Sequence, residues 1–207
     1  PPPESAAMSH IEIKPALSPR EKNIFITFPW QVYKGDPFWV PPLISERKKS
    51  IDPSRGVWFK QGIADFFIAW RDGRPVGTIC AAEDRQSNTT LGKRDCVFGF
   101  FEYIEDYQVF TALVEQAMAW AEGHHLDSLL GPFNLDYEDA YGVLIEGHDR
   151  PPAILCGHSP PYYQNFMKRM GFIPARGDNL AYALDLSNTS AVQTRLDQMA
   201  SLVQSRK

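Results

Sequence analysis

Residues 95–123 constrain the fold most, because two regular elements follow one another there without a break. The first part, residues 96–104, is rich in β-branched and aromatic residues, as is typical of a strand buried on both faces. Asp106 is placed to cap the following helix, and Gly123 to end it in the left-handed conformation. Apolar residues at helical spacing follow the cap, namely Phe110, Leu113, Val114, Ala117, Met118 and Ala121. The sequence therefore predicts a helix N-terminus at the end of a buried strand, where unpaired amides and the helix dipole favour an anion.

Upstream of this segment, the sequence predicts a first strand and broken helical pieces. Residues 11–15 alternate apolar and polar side chains, which favours a short strand. Residues 18–21 (SPRE) combine a serine cap, a proline at the first helical position and a capping-box glutamate, so a helix begins there. Pro29 must kink or split that helix. The proline-rich stretch that follows leaves room for only a short helix near residues 44–50.

The middle of the chain predicts a β-hairpin followed by a loop. Residues 64–71 and 75–82 are two β-rich runs, and Asp72-Gly73 joins them as a two-residue turn. Residues 84–95 are polar and are predicted to be a loop.

Downstream of the central helix, the pattern alternates short strands and irregular segments. Residues 126–130 predict a short strand, and the aromatic-rich loop 132–152 is typical of a lid or binding segment. A second helix is predicted to open at Ser159-Pro160 and to end at Gly171. Two last strands are predicted at residues 172–174 and 181–186.

The predicted elements follow the order β-α-α-β-β-β-α-β-α-β-β. This order indicates an α+β fold with a mixed, mostly antiparallel sheet flanked by helices. We expect residues 1–7 to be a leader and residues 8–186 to form one domain. Residues 187–207 predict an amphipathic helix with no remaining body to pack against. It docks back on the domain, forms a homodimer, or leads into a covalently linked second domain.

Charge and composition exclude several classes of partner. The net charge of −4 gives no basic face for nucleic acid. No apolar run approaches the roughly 20 residues that span a bilayer, so no membrane partner is expected. Three widely spaced cysteines and the lack of a signal sequence favour buried thiols in a reducing, cytoplasmic environment.

The order of elements resembles that of the GNAT superfamily of acyl-CoA-dependent N-acyltransferases. The stretch FGFFEYIED at 98–106 resembles the fourth strand of that family, and MKRMGF at 167–172 resembles its penultimate helix. Residues 131–152, followed by PPYY at 160–163, resemble a divergent subgroup of unassigned substrate, whose members sometimes carry two such domains. The resemblance covers about residues 10–186 and implies acyl transfer to an amine, either a small molecule or a peptide.

The resemblance also implies where the co-substrate, acetyl-CoA or another acyl-CoA, would lie. In the GNAT fold the pantetheine arm pairs with the exposed backbone of the fourth strand, and the pyrophosphate lies on amides at the start of the next helix. The corresponding residues here are Phe101, Tyr103, Ile104, Tyr107, Gln108 and Val109. No metal is expected.

The chain departs from the GNAT pattern at two places. The phosphate loop of the family is normally basic and glycine-rich, whereas residues 105–110 (EDYQVF) contain two acids and no glycine. Carboxylates repel a pyrophosphate, and side chains obstruct close backbone approach. Met167 stands where the family often has a tyrosine that protonates the leaving thiolate. Either the co-substrate is held differently, or the domain has lost it.

Three residues are candidates for proton transfer. Glu102 interrupts an apolar strand, where burial would raise its pKa toward that of a general base. Its alternative role is a carboxylate paired with an arginine or solvated at the strand end. Tyr162 is a candidate acid for the thiolate. His158 precedes the late helix and is either a base or a structural hydrogen-bonding residue.

Candidates for binding the amine lie on the aromatic loop and the late helix. They are Asn134, Tyr137, Glu138 and Tyr163, with Asp139 beside them. Their alternative roles are solvated loop positions and, for Tyr163, packing in the core.

Two further patterns are better explained without chemistry. Cys156 lies two residues before His158, but this spacing rarely gives nucleophile geometry, so a buried thiol is expected. His124 and His125 lie at a helix end without companion metal ligands. The sequence thus predicts an N-acyltransferase, with a catalytically inactive GNAT-fold ligand-sensing or interaction domain as the alternative.

Overall fold

The computed structural model describes residues 10–135, 139, 141–154, 156–182 and 190–205. Within these residues, the strands are β1 Ile11–Pro15, β2 Gly62–Arg71, β3 Arg74–Asp84, β4 Asp95–Tyr103 and β5 Ser128–Leu130. The helices are α1 Pro19–Thr27, α2 Pro29–Val32, α3 Ile44–Ser50, α4 Arg85–Leu91, α5 Tyr107–Gly123, α6 Tyr162–Met170 and α7 Ser190–Gln204, with a 3₁₀ turn at Trp58–Lys60. The chain divides into two compact units, Pro1–Ala175 and Arg176–Lys207, of which the second contains α7.

The strands form one sheet in the order β1-β2-β3-β4-β5. The first four strands pair antiparallel, and β5 pairs parallel to β4. Asp72 and Gly73, which join β2 to β3, both have positive φ, as a two-residue hairpin turn requires. The predicted α+β class with a mixed sheet is confirmed.

Each face of the sheet carries its own hydrophobic cluster. Phe67 of β2 belongs to the cluster that contains α5 and the α6 residues Tyr163 and Met167. Its neighbours Phe66 and Ile68 belong to the second cluster, which contains α1 and Trp58. Successive side chains of a strand point to opposite faces, so the two clusters lie on either side of the sheet.

The strand–helix segment forms as predicted at its start and differs at its end. The Asp106 carboxylate accepts hydrogen bonds from the first amides of α5, which confirms the cap. Gly123 remains inside the helix, and His125, with φ of +60°, takes the left-handed conformation instead, so that prediction was wrong. Met118 is 52% exposed, whereas Trp120 is buried, because the face that packs on the sheet is rotated slightly from the predicted stripe.

Four other predictions about elements need comment. Residues 84–95 are not all loop, because Asp84 caps α4 through its bond to the Ser87 amide and Gly92 ends that helix. The late helix begins at Tyr162 rather than at Ser159, whose hydroxyl instead accepts a bond from the Leu144 amide. Residues 172–174 form no strand. For the strand predicted at 181–186, residues 181–182 are irregular and the remainder lies outside the described residues.

The close approach of the loop after β5 to β4 requires a glycine at position 99. A Cβ atom there would lie 1.8 Å from the Phe133 carbonyl oxygen and 2.4 Å from its carbon. Both atoms belong to the backbone, so no flexible side chain can move aside. Gly99 therefore determines how closely the loop over the edge of β4 can pack.

We expect Gly99→Ala to lower the free energy of unfolding by about 1–3 kcal/mol, as overpacking does. Gly123→Ala is the matched control, because nothing lies within 4 Å of a Cβ there. In the last turn of α5 it should be neutral or add up to about 1 kcal/mol. Urea unfolding of both variants measures the difference, and equal stabilities would show that the loop does not depend on Gly99.

Candidate functional site

Strand β4 contains a β-bulge at Phe100, whose φ of +45° lies in the left-handed region. Gly99 of β4 pairs with Cys80 of β3. The next paired residue of β4 is Glu102, which faces Thr78, so two residues of β4 stand opposite one of β3. The Thr78 hydroxyl donates a hydrogen bond to the Phe100 carbonyl at 2.8 Å in the core and holds the bulge in place.

The bulge decides which face of the sheet carries Glu102. Phe98 lies in the α5-side cluster, and Phe100 lies in the opposite cluster. Phe101 returns to the α5 side directly after Phe100, so Glu102 shares the face of Phe100. In a regular strand Glu102 would share the face of Phe98 and lie beneath α5.

Beyond β5, loop and side-chain groups rather than another strand cover the edge of β4. β5 pairs with β4 only as far as Val97. One backbone amide and three side chains then occupy the edge. The bonds are Phe133 N to Phe98 O (2.7 Å), Phe100 N to Asn134 Oδ1 (2.7 Å), Tyr103 N to Tyr163 Oη (3.1 Å) and Tyr162 Oη to Tyr103 O (2.6 Å). Within the described residues no strand pairs with this edge beyond Val97, and the edge groups just named bond to other parts of the chain.

Glu102 lies at the end of a short hydrogen-bond chain. The Tyr163 hydroxyl accepts from the Tyr103 amide and donates to Glu102 Oε2 at 2.7 Å. Burial raises the pKa of Glu102 to about 7, although the hydrogen bond from Tyr163 and the nearby Arg47 cation act in the opposite direction. A carboxyl with a pKa near neutrality can exchange a proton with a ligand at physiological pH.

Glu102 borders a cavity of about 290 Å³ on the face of the sheet opposite α5. One wall comes from α1, α2 and the proline-rich segment after them, and the other comes from residues 132–159. Trp39 stacks on Tyr33 at 4.8 Å between ring centroids and meets Trp30 edge-on at 5.1 Å. The aromatic packing gives the cavity a rigid apolar side facing the polar group at Glu102.

His158 joins the two walls of the cavity. Its Nε2 lies 2.7 Å from Asp36 Oδ2, and its backbone carbonyl accepts a bond from the Tyr33 hydroxyl at 3.0 Å. Because an ionised carboxylate only accepts, Asp36 favours the tautomer with hydrogen on Nε2. His158 Nδ1 is buried and has no hydrogen-bond partner among the described residues. This nitrogen is thus an acceptor in the wall of the cavity. Cys156, expected to be buried, is exposed and lines the same cavity.

A second polar contact closes the cavity on the side of α3. The Arg47 guanidinium pairs with the Asp139 carboxylate, and it also lies over the Phe100 ring, 5.5 Å from its centroid. The pair links α3 to the loop after β5, and both side chains line the cavity.

The first amides of α5 are already occupied. Asp106 Oδ1 accepts from Gln108 N at 2.8 Å and from Val109 N at 3.4 Å. Arg71 Nη1 lies 2.8 Å from the other carboxylate oxygen of Asp106. Partial burial raises the pKa of Asp106, but the bonds from Arg71 and the Gln108 amide outweigh it and hold that pKa below its usual range. An ionised carboxylate therefore holds the position that the sequence predicted for an anion.

Comparison with known proteins identifies the architecture. No family model matches the chain. The bacterial ceramide synthase of Caulobacter vibrioides (strain NA1000 / CB15N) is 32% identical over 184 residues, which are 88% of this chain and 48% of that protein. Protein YghO of Escherichia coli (strain K12) is 32% identical over 190 residues, 90% of this chain and 48% of that protein. The chain spans about half the length of these curated relatives.

The solved structure of a tandem GNAT protein from the clavulanic acid biosynthesis pathway superposes with a TM-score of 0.51. It is 15% identical and covers 78% of this chain and 43% of that one. The chain has the GNAT fold. Among the described residues, no helix has the length and hydropathy needed to cross a membrane. The same residues contain no cluster of three or more His, Cys, Asp or Glu side chains with metal-binding geometry.

The GNAT domain brings several of the predicted site residues together at the cavity. Glu102, His158, Asn134 and Tyr163 all line it, and Asn134 also bonds to the edge of β4. Tyr162 instead lies at that edge, where it bonds to the Tyr103 carbonyl. Tyr137 and Glu138 lie outside the described residues.

The residues predicted to contact the co-substrate lie around the junction of β4 and α5. Tyr103 and Val109 are fully buried, and Phe101 is nearly so. At the start of the helix, the amides of Gln108 and Val109 are capped by Asp106. The other two positions are Ile104, which bonds to the Val76 carbonyl, and Tyr107, whose ring lies under the Arg169 guanidinium at 3.7 Å. These residues remain predicted contacts.

Sequence reasoning missed the residues that build the first wall of the cavity. Tyr33 and Arg47 line the cavity, and Asp36 bonds to His158 in its wall. All three lie in or next to the proline-rich stretch, for which the sequence predicted only a short helix. The one available signal was Asp36-Pro37 beside Trp39, a polar residue in an aromatic segment. Nothing in the sequence indicated that Asp36 would meet His158, because 122 residues separate them.

The raised pKa of Glu102 has a consequence for stability. The native state binds this proton more tightly than the unfolded chain, so between pH 4.5 and about 7 Glu102 reduces stability as pH rises. We therefore expect the free energy of unfolding of Glu102→Gln, relative to that of the wild type, to be larger at pH 8 than at pH 4.5. The expected increase is on the order of 3 kcal/mol.

Urea unfolding of the variant and the wild type at both pH values measures this effect. Subtracting the wild-type free energy at each pH cancels the contribution of the other carboxyls. Glu115→Gln, at an exposed position of α5, is the matched control and should show no such change. A pH dependence equal in both variants would place the pKa of Glu102 near its ordinary value.

Proposed function

We propose that this GNAT domain transfers an acyl group from a CoA thioester to an amine that binds in the cavity beside Glu102. The observation that supports the proposal best is the Tyr103–Tyr163–Glu102 hydrogen-bond chain, which fixes a carboxyl of pKa about 7 at the boundary between cavity and strand edge. The GNAT fold supplies the expectation that the thioester approaches along that edge.

In the proposed reaction the amine nitrogen attacks the thioester carbonyl carbon. A carbon–nitrogen bond forms, the carbon–sulfur bond breaks, and the electron pair leaves with the sulfur as a thiolate. Glu102 in its ionised form takes the proton that the nitrogen loses. Glu102 lies on the cavity face of β4, so an amine reaches it from the cavity without crossing the sheet.

The remaining candidates have supporting roles in this proposal. Tyr162 donates its hydroxyl proton to the departing sulfur, because its oxygen lies at the Tyr103 carbonyl, on the edge where the thioester would lie. His158 accepts a hydrogen bond from the amine through Nδ1, which has no partner of its own among the described residues. In the neutral ring, the bond from Nε2 to Asp36 selects the tautomer in which Nδ1 is the acceptor. Asn134 and Tyr163 orient the amine from the loop and from α6.

The name of one relative suggests the class of acceptor. Ceramide is an amide of a long-chain amino alcohol, so a ceramide synthase makes an N-acyl bond to an amine with an apolar tail. The cavity of this chain offers a polar and an apolar side to such a molecule, with Glu102 on one side and walls that include Phe25, Ile26 and Trp39 on the other. We therefore propose a long-chain amine as the acceptor.

A second candidate function is a GNAT-fold domain that binds a ligand without catalysis. It is favoured by the Asp106 carboxylate, which fills the amides where a pyrophosphate would lie. For an acyl-CoA to bind in the usual GNAT position, Asp106 must release those amides, and its negative charge opposes the phosphates.

Turnover tests the base. We expect Glu102→Gln to bind acyl-CoA with nearly unchanged affinity and to lose about 10²–10³-fold in kcat, because general-base catalysis is removed. In the wild type kcat/KM should rise with pH and level off above about 7. The assay follows thiol release from palmitoyl-CoA or acetyl-CoA with sphinganine or octylamine as acceptor, and Glu115→Gln should match the wild type. Equal rates for the two variants would remove Glu102 from the mechanism.

Calorimetry with acetyl-CoA and palmitoyl-CoA separates the two functions. Asp106→Asn keeps a helix-capping side chain and removes its charge. If the phosphates lie at α5, this variant should bind acyl-CoA about tenfold more tightly than the wild type, since a repulsive charge is removed. Absence of binding at millimolar ligand in both proteins would favour the non-catalytic function.

A further inference from the structure

Large aliphatic side chains stand exposed around the mouth of the cavity. Val40 lines the cavity and is 64% exposed, and Leu43, just beyond two cavity-lining prolines, is 70% exposed. On the opposite wall Ile154, which is 93% exposed, lies between the cavity-lining residues Pro152 and Cys156. Two segments that are far apart in sequence and that both contribute cavity-lining residues thus carry exposed aliphatic side chains. We call Val40, Leu43 and Ile154 the apolar rim.

The apolar rim adjoins a local excess of positive charge. Residues 38–50 carry three basic residues and one acid, although the whole chain has a net charge of −4. Arg47 is paired with Asp139, and Lys49 lies 4.0 Å from Glu46 in an exposed ion pair, whereas Lys48 is exposed on α3 with no ion pair among the described residues. On that helix Lys48 lies one turn after Ile44, so a cationic and an aliphatic side chain are neighbours.

Aromatic packing fixes the segment that carries Val40 and Leu43, two of the three rim residues. The stacked pair Tyr33–Trp39 and the edge-on pair Trp30–Trp39 fix the backbone just before Val40. Pro41 and Pro42 then restrict the backbone up to Leu43. Burying the rim against another surface therefore costs little conformational entropy.

We propose that the apolar rim docks on the surface of an anionic lipid bilayer. Aliphatic side chains insert at the boundary of the acyl chains, while Lys48 and Lys49 meet the anionic headgroups. Two copies that met through this surface would bring their α3 lysines together, so the local charge favours an anionic surface over a second copy. Docking in this orientation turns the mouth of the cavity toward the bilayer. It needs no spanning helix.

Co-sedimentation tests the proposal with vesicles of equal parts phosphatidylglycerol and phosphatidylcholine, and with vesicles of phosphatidylcholine alone. The wild type should bind the anionic vesicles and bind the neutral ones at least about tenfold more weakly. Leu43→Glu should lose on the order of tenfold in affinity, because a charge replaces an inserted side chain. Leu91→Glu is the matched control: Leu91 is 62% exposed but lies on α4, away from the cavity, and this variant should bind like the wild type.

Lys48→Gln/Lys49→Gln should weaken binding to the anionic vesicles alone and should reduce its dependence on salt. Leu43, Leu91 and both lysines are exposed, so the fold should be kept, and circular dichroism checks this. Equal loss in Leu43→Glu and Leu91→Glu would overturn the proposal. The proposal would also be overturned if the wild type bound no vesicles and light scattering showed a dimer that Leu43→Glu disrupts. The rim would then be a protein interface.

Discussion

The site depends on the buried hydrogen bond from the Thr78 hydroxyl to the Phe100 carbonyl. A bulge leaves backbone groups without ladder partners, and in a core such groups are costly unless another polar atom meets them. Thr78 supplies that atom, so a left-handed phenylalanine is tolerated in a central strand. The extra residue moves Glu102 from the crowded side under α5 to the side that has a cavity. One hydroxyl thus decides whether this strand presents a carboxyl to a ligand.

The pKa values of two carboxyls four residues apart are shifted in opposite directions by their surroundings. Glu102 is buried between tyrosines, and this burial outweighs the opposing effect of the nearby Arg47 cation, so its neutral form is favoured. Asp106 meets Arg71 and two helix amides, so its ionised form is favoured. The first group is suited to proton exchange. The second is a fixed charge that stabilises the start of α5 and at the same time competes with any phosphate for it.

The sequence predicted those parts of the fold that depend on neighbours along the chain. The Asp72-Gly73 turn, the Ser18 capping box, the break at Pro29 and the Asp106 cap each have local causes, and each is present. Glu102 was found because a carboxyl in an apolar strand is conspicuous. Asp36, Tyr33 and Arg47 were not found, because their roles arise from contacts with residues that lie 122, 125 and 92 positions further along the chain, respectively.

The Asp36–His158 pair has a consequence for how the protein is made. The two residues are 122 positions apart, and the bond from Tyr33 to the His158 carbonyl spans 125. During synthesis the strands from β1 to β4 and the helix α5 leave the ribosome before His158 does. A nascent chain of that length can form its sheet, but it has only one wall of the cavity. A ligand stabilises only a state that can bind it. A ligand of this cavity can therefore stabilise the chain only after translation has passed His158.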